Sequence, residues 1–459
     1  MNSTTGQSDA VIRLFDRINY ERKTDYTGNE FKLANMRRLA ETLGNPERSC
    51  PVIHVAGTKG KGSVCSIVGA ILTNAGIKTG VYTSPHLEKI NQRIRIDGID
   101  IEDDELTKTL EKIEPAVHQV DQWAVENKHK PLTFFEVTTA AALQFFSDQE
   151  CEAIVLEVGM GGRLDSTNIC QPTVCAITSI SLDHTKQLGD TLDKIAAEKA
   201  GIVKPGIPLV CGETKPIAKN VIHQIAQSKN STAVQFQEDF EIVENELATG
   251  QFQYKSKLAA NEEFPVLKCS MLGKHQQKNA AIAIAICELL IRQGWPIETE
   301  NIRRVIESIS LPGRCEIVHH EPTIVLDMAH NAESAKALSD TLKTILAQKT
   351  LWSSKTLVFA TSKDKQQEKL LEPLLPLFDK LVVTQFQNNP RRKAPSIIAS
   401  CAESMAARHD LPILIDLNED PVKAFQQWRE STDQNAMLCI AGSAFLIAEL
   451  RPLTLKHMF

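Results

Sequence analysis

The stretch Gly57-Thr58-Lys59-Gly60-Lys61-Gly62-Ser63 lies between a short apolar run, Val52 to Ala56, and a helix-like stretch. A phosphate chain needs backbone N–H groups aimed at it, and glycines let the backbone come close enough to supply them. The start of the following helix adds positive potential. In such a loop Lys61 reaches the terminal phosphates and Ser63 hydrogen-bonds beside them. The loop is shorter than a strict Walker A, because no Gly stands five residues before Gly60. A Gly-rich turn with incidental lysines is the plain alternative, and the strand–loop–helix context disfavours it.

A nucleotide loop does not specify a reaction, and four further features narrow it. Glu157 ends the run Ile154-Val155-Leu156 and is followed by Gly159, Gly161 and Gly162. A carboxylate at the carboxyl end of a parallel strand stands where α/β sheets bind ligands. Asp183-His184 follows another apolar strand, and Thr83-Ser84-Pro85-His86 ends a third with a hydroxyl. Acids plus a hydroxyl make a reasonable Mg²⁺ shell, for which nitrogen is an unusual ligand. Leu326-Asp327-Met328-Ala329-His330-Asn331 puts an acid and a histidine at a later strand end, facing a linker that carries Arg314. Each alone reads equally well as a cap, turn or structural residue; together, beside the loop, they favour a metal–nucleotide site.

These residues need elements to position them. Short apolar runs at Val52–Ala56, Gly80–Thr83, Ala153–Val158, Thr173–Ile177 and Ile207–Val210 alternate with helical patterns. One such helix opens on the acidic run Glu102 to Glu105, as the helix dipole favours. Others are expected over Thr133–Phe146, near Ala197–Val203 and from about Gln277 to Gln293. The region from Thr214 to Lys268 is more polar and suits an antiparallel excursion whose strands cannot be placed. Leu311-Pro312-Gly313 is the best linker, since Pro and Gly both break regular structure. Beyond it the alternation resumes, with strands at Thr323–Asp327, Thr356–Phe359, Lys380–Val383, Pro412–Ile415 and Ala436–Ala441 and helices including Ser334–Leu346 and Ser396–Arg408. The expected fold is α/β, two doubly wound and mainly parallel-sheet domains over 1–311 and 312–459.

Several stretches resemble, in order, the signature blocks of folylpolyglutamate synthases, which are Mur-type ligases: His54 to Ser63, Val81 to Leu87, Leu156 to Asn168, Ser181 to Thr185, Glu198 to Ile202, Leu311 to Arg314 and Leu326 to Asn331. Ala441-Gly442-Ser443 resembles the C-terminal block. The likeness runs from about Tyr20 to Arg451. It implies a P-loop ATP-binding first domain that also takes folate or pteroate, and a smaller Rossmann-like domain that handles L-glutamate. It further implies that Gly57 to Ser63 hold ATP, that Ser84, Glu157 and His184 bind Mg²⁺, and that Asn279, Arg314 and Asp327 contact the nucleotide. Lys61, Lys199, Arg314 and His330 become the catalytic set. Lys199 matches a lysine carbamylated in many Mur-type ligases, where the carbamate oxygens hold a second Mg²⁺. Thr133, Phe134, Phe135 and Glu136, with Leu164, Asp165 and Ser166, match segments that hold the pterin in relatives using dihydropteroate. The sequence departs from the family at Lys59, where Asn is usual, and the blocks Ser362-Lys363-Asp364-Lys365 and Pro390-Arg391 match loosely. The implied reaction is ATP-dependent ligation of glutamate to folate, and to dihydropteroate, through an acyl phosphate. A Mur-type ligase with another acceptor and a P-loop switch without ligation are the rival readings.

Composition bounds these readings. The 459 residues suit two domains, and 42% apolar with 24% charged residues is a globular balance. A net charge of −6 gives no support to a nucleic-acid partner. No run is long enough to span a bilayer, and Met1 to Asp9 lack the apolar core of a signal peptide. The eleven scattered cysteines contain no Cys-x-x-Cys pair and read as reduced core residues of a cytoplasmic protein. Nothing requires more than a monomer.

Overall fold

Val52–Ala56 forms a strand buried at every position, because its neighbours cover both faces. In the computed structural model, which describes residues 8–20, 33–246, 250–258, 264–349 and 351–456, it lies inside an eight-stranded sheet. Ala153–Glu157 and Val174–Ile177 flank it in parallel register. Thr79–Tyr82 pairs with Ala153–Glu157, and Leu209–Cys211 and Ala233–Gln235 extend the other side, again in parallel. The far edge turns antiparallel through Ile94–Ile96 and Ile99–Asp100. Ile53 and Val55 join one core with helices Lys61–Asn74 and Lys274–Arg292. On the opposite face Ile154 and Leu156 join a second core with helices Asp103–Glu126 and Phe134–Asp148. This alternation is the period of two that a doubly covered strand requires.

The polar stretch after Thr214 holds helix Pro216–Ser228, which its pattern does not announce. Behind it lies the antiparallel excursion, a three-stranded sheet of Phe240–Glu246, Gln251–Ser256 and Leu267–Lys268. Its aromatic residues Phe240, Phe252 and Tyr254 pack on the core that contains helix Lys274–Arg292. The amphipathic helix Thr299–Ser308 is also an addition to the sequence reading.

A six-stranded sheet follows, and here one expectation is corrected. Thr323–Leu326 is not its first strand. Glu316–His320 precedes it and pairs with it antiparallel across a bulge. It escapes detection because its residues are only half buried and include two histidines. The remaining strands, Met437–Ala441, Lys355–Phe359, Lys380–Val383 and Leu414–Leu417, are parallel in that order. Leu311 packs on the first core while Cys315 belongs to the second sheet's core, so the chain passes between cores at Pro312–Arg314. Residues 1–7, and with them most of the polar N-terminus read from the sequence, lie outside the described residues. Among the described residues no helix is long and apolar enough to cross a membrane.

Ile154 is fully buried in the central sheet. Ile154→Ala is expected to cost about 2–5 kcal/mol through the cavity it leaves, measured as a lowered urea midpoint; a loss under about 0.5 kcal/mol would show that this strand is not core.

Candidate active site

Because Ala153–Glu157, Val52–Ala56 and Val174–Ile177 are parallel, their carboxyl ends open on one edge of the sheet. Gly57 to Gly60 turn there between strand and helix, Gly57 at φ +152 and Gly60 at φ +86. A Cβ on Gly60 would stand 2.3 Å from Asn279 Oδ1, and one on Gly57 1.9 Å from Thr178 Oγ1, so the turn tolerates no side chain at either position. Thr58 N donates to Ser179 O at 2.7 Å, and Thr178 Oγ1 donates to Lys59 O at 2.6 Å. Thr178 and Ser179 therefore brace the loop from the next strand, a role the sequence reading missed; a Thr-Ser pair just past a parallel strand is a weak signal for it. Helix Lys61–Asn74 has no side-chain cap and no acid in its first turn. Its leading N–H groups and its dipole are free to meet an anion.

Lys61 Nζ lies 3.8 Å from Glu157 Oε1, and Ser84 N donates to Glu157 Oε2 at 2.9 Å. Burial pushes the Glu157 carboxyl up, against the pull of Lys61, which is the environment of an acid that gains from a further cation. Lys59 Nζ donates to Asp183 Oδ2 at 3.0 Å. Although burial works against it, Asp183 is held well below the usual carboxylate range by Lys59 and His184. His184 begins the short helix Thr185–Leu188 with φ +50 and is more than half exposed, 55% for its side chain. Ser84, Glu157 and His184 all line one cavity of about 2430 Å³ with Thr58 to Gly62, Arg314 and His330.

Lys199 lies in the last turn of helix Leu192–Ala200, almost fully buried. Burial, with Lys61 nearby, lowers its ammonium to about 7. The Gly161-Gly162 turn rests on this helix: Arg163 N donates to Glu198 O at 2.8 Å, and a Cβ on Gly162 would stand 2.8 Å from Glu198 O and Lys199 O. Asn279 is buried and its Nδ2 donates to Gln276 Oε1 at 2.9 Å. Asp327 accepts from Cys315 N and Ala329 N, each at 2.7 Å, and burial pushes it up to about 6. Ser63, Asn279, Asp327 and Lys199 support this wall from behind instead of lining the cavity. His330 lies in the wall of the same cavity. Its Nδ1 donates to Met328 O at 2.9 Å, and burial, with Lys59 close by, lowers its pKa to about 4. It faces the cavity as a neutral ring and adds no positive charge.

The pterin segments divide. Leu164, Asp165 and Ser166 line the cavity, as do Thr133, Phe135 and Glu136. Thr133 and Glu136 also form a capping box, Glu136 N donating to Thr133 Oγ1 at 3.2 Å and Thr133 N to Glu136 Oε2 at 2.8 Å. Asp165 accepts from Thr167 Oγ1 at 2.6 Å and Met160 N at 2.9 Å. Phe134 is a correction: it is fully buried, stacked on Phe15 at 5.6 Å, and belongs to the core. Its position one residue into the helix turns it away from Phe135. From the second sheet, Ser362, Asp364, Lys365 and Arg391 reach the same cavity.

Residues 55–287 match the model of the Mur ligase middle domain, and residues 311–455 match the dihydrofolate synthetase C-terminal domain. Fold and matched domains together define a Mur ligase. The Bacillus subtilis dihydrofolate synthase/folylpolyglutamate synthase is 33% identical over 91% of this chain and 94% of its own. Mycobacterium tuberculosis folylpolyglutamate synthase complexed with ADP superposes with a TM-score of 0.84, at 29% identity over 97% of each chain. The bifunctional Yersinia pestis enzyme complexed with AMPPNP and a manganese ion gives 0.79 at 27% identity, covering 96% of this chain and 97% of that one. The chain belongs to the dihydrofolate synthase/folylpolyglutamate synthase family.

Gly60→Ala combines a left-handed backbone with a steric clash at Asn279. The strained conformation alone costs roughly 1–2 kcal/mol, so ATP-analogue binding should weaken by about tenfold or more, as calorimetry would report. Unchanged affinity would show that the turn does not cradle phosphate.

Proposed function

We propose that this chain ligates L-glutamate to a reduced folate, and to dihydropteroate, at the expense of ATP. The observation that carries the proposal is the uncapped helix start behind a glycine turn, with Lys61 and Glu157 converging on it. In this reading Gly57 to Ser63 hold the triphosphate, and a carboxylate oxygen of the folate attacks the γ-phosphorus as ADP leaves. The glutamate α-amine then attacks the acyl-phosphate carbon, and the tetrahedral intermediate expels phosphate to leave the amide. Such transfer rests on positioning and charge neutralisation. Lys61 and Arg314 supply fixed positive charge, while neutral His330 presents its Nε2 as an acceptor. Asn279 and Asp327 support the nucleotide side.

The donor set suits Mg²⁺. Glu157 offers one buried carboxylate and Ser84 a hydroxyl, and this ion takes one or two carboxylates with phosphate and water oxygens. Among the described residues no three His, Cys, Asp or Glu side chains cluster to cage a metal, which fits an ion shared with the nucleotide. His184 is the third donor of this reading. When bound, the metal neutralises charge between the phosphates.

Lys199 is suited to carbamylation: burial lowers its pKa to about 7, so a large share is free amine at neutral pH, and amine plus CO₂ gives a carbamate and a proton. Thr133, Phe135, Glu136, Leu164, Asp165 and Ser166 form the pteroate wall. Lys365 and Arg391 bring positive charge from the second sheet for the glutamate carboxylates. The domains divide at 1–311 and 312–459. Eleven unpaired cysteines fit a cytoplasmic enzyme, and the reading takes it to act as a monomer.

A coupled assay with Mg²⁺ tests the reaction. ADP release should require both a pteroyl substrate and glutamate, with dihydropteroate and tetrahydrofolate each accepted; release without glutamate would contradict ligation. Lys61→Ala should retain the parent's circular dichroism and lose on the order of 10²–10³ in rate, and near-normal turnover would remove the phosphate role. For Lys199 the sign follows from its lowered pKa: the reactive neutral form grows as pH rises through about 7. With ¹³C-labelled bicarbonate, a carbamate carbon signal should grow between pH 6 and 8, within about one unit of that midpoint, and vanish in Lys199→Arg. Its absence at every pH would end that assignment.

A further inference from the structure

We propose that Arg451 is a positioning residue that clasps the second domain to the Ser84 loop and so sets the geometry of the nucleotide–metal site. The proposal rests on the reading of Ser84 and Glu157 as part of that site. Arg451 lies on helix Ala444–Lys456, in the second domain. Its Nε and Nη2 grip Glu316 in a fork, at 2.9 Å to Oε2 and 2.8 Å to Oε1. Its Nη1 reaches across to Glu88 Oε1 of the first domain at 2.8 Å. Glu316 Oε2 in turn accepts from Gly313 N in the connecting segment at 2.8 Å.

Exposed ion pairs are worth little. This one is sheltered, with side-chain exposures of 16% for Arg451, 26% for Glu88 and 8% for Glu316, and forked guanidinium–carboxylate bonds are among the strongest and most directional. A second contact works in the same direction. Leu87 leaves its own domain's cores and packs with Val318, Met328 and Leu453 against the second sheet's core. The loop that places Ser84 N on Glu157 is thus tethered at Leu87 and Glu88 to the other domain. Glu88 and Glu316 lie on opposite sides of Pro312–Arg314, so one guanidinium can hold both only in one domain arrangement. Opening the interface would pull on the Ser84 loop, and ordering that loop with nucleotide would favour closure.

The test is calorimetric binding of AMPPNP with excess Mg²⁺ to the full chain, for Glu88→Gln, Arg451→Gln and the double variant. Each single change should weaken binding by about tenfold, or 1.4 kcal/mol, and the double should bind no more weakly than the worse single. Glu88→Gln lies in a loop, and its urea unfolding midpoint should match the parent's, which separates positioning from stability. Singles that bind like the parent, or a double whose loss is the sum of the two, would overturn the clasp. Glutamate-dependent ADP release by the parent is scored separately, so failure of the ligase reading and failure of the clasp are distinguishable.

Discussion

The parallel register of three strands is the constraint on which everything else depends. Val55 lies opposite Glu157 and Ala56 opposite Ile177, so the glycine turn, the carboxylate and the Thr178–Asp183 loop leave the sheet at one level. A slip of one residue would reverse every side chain and send Ile53 and Val55 to the wrong core. The register is enforced by burial on both faces, since each strand carries apolar residues that fit only one pairing. The site therefore inherits its precision from packing that takes no part in chemistry.

That edge concentrates charge. Lys59, Lys61, Arg314 and Lys199 lie near buried Glu157 and half-buried Asp183, and beside burial the nearby cations lower the pKa of Lys59 and Lys199. The protein relieves this in three ways. Asp183 pairs with Lys59, burial lowers the pKa of Lys199 to about 7 so that its charge is reduced, and burial holds His330 mainly in its neutral form. What remains is an excess of positive potential at the helix start, which supports the proposed triphosphate site. Lys59, the departure from the family pattern, keeps this balance because it brings a charge and finds Asp183 to share it.

The two sheets meet around one cavity and are joined by a short segment without regular structure. Their contact is polar at Arg451 and apolar at Leu87, and both points fall on the loop that carries Ser84. The interface thus shares a structural part with the catalytic edge. Binding energy spent on ordering either is felt by the other, which is how a ligase can keep its acyl phosphate from water until both substrates are in place.

The glycine turn, the carboxylate after a buried strand and the break at Leu311 to Gly313 were legible in the sequence, because each rests on local chemistry: backbone freedom, strand ends and chain breakers. Resemblance alone singled out Lys199, which no local pattern marks. Strand Glu316–His320 and helix Pro216–Ser228 were not legible, since half-buried edges dilute periodicity. Only the tertiary structure decided that Phe134 is core while Phe135 faces the cavity, that burial lowers the pKa of both Lys199 and His330, and that Arg451 meets Glu88, 363 positions away in the chain. Burial and long-range pairing set those outcomes, and both are properties of what surrounds a residue in space, which its neighbours in sequence do not encode.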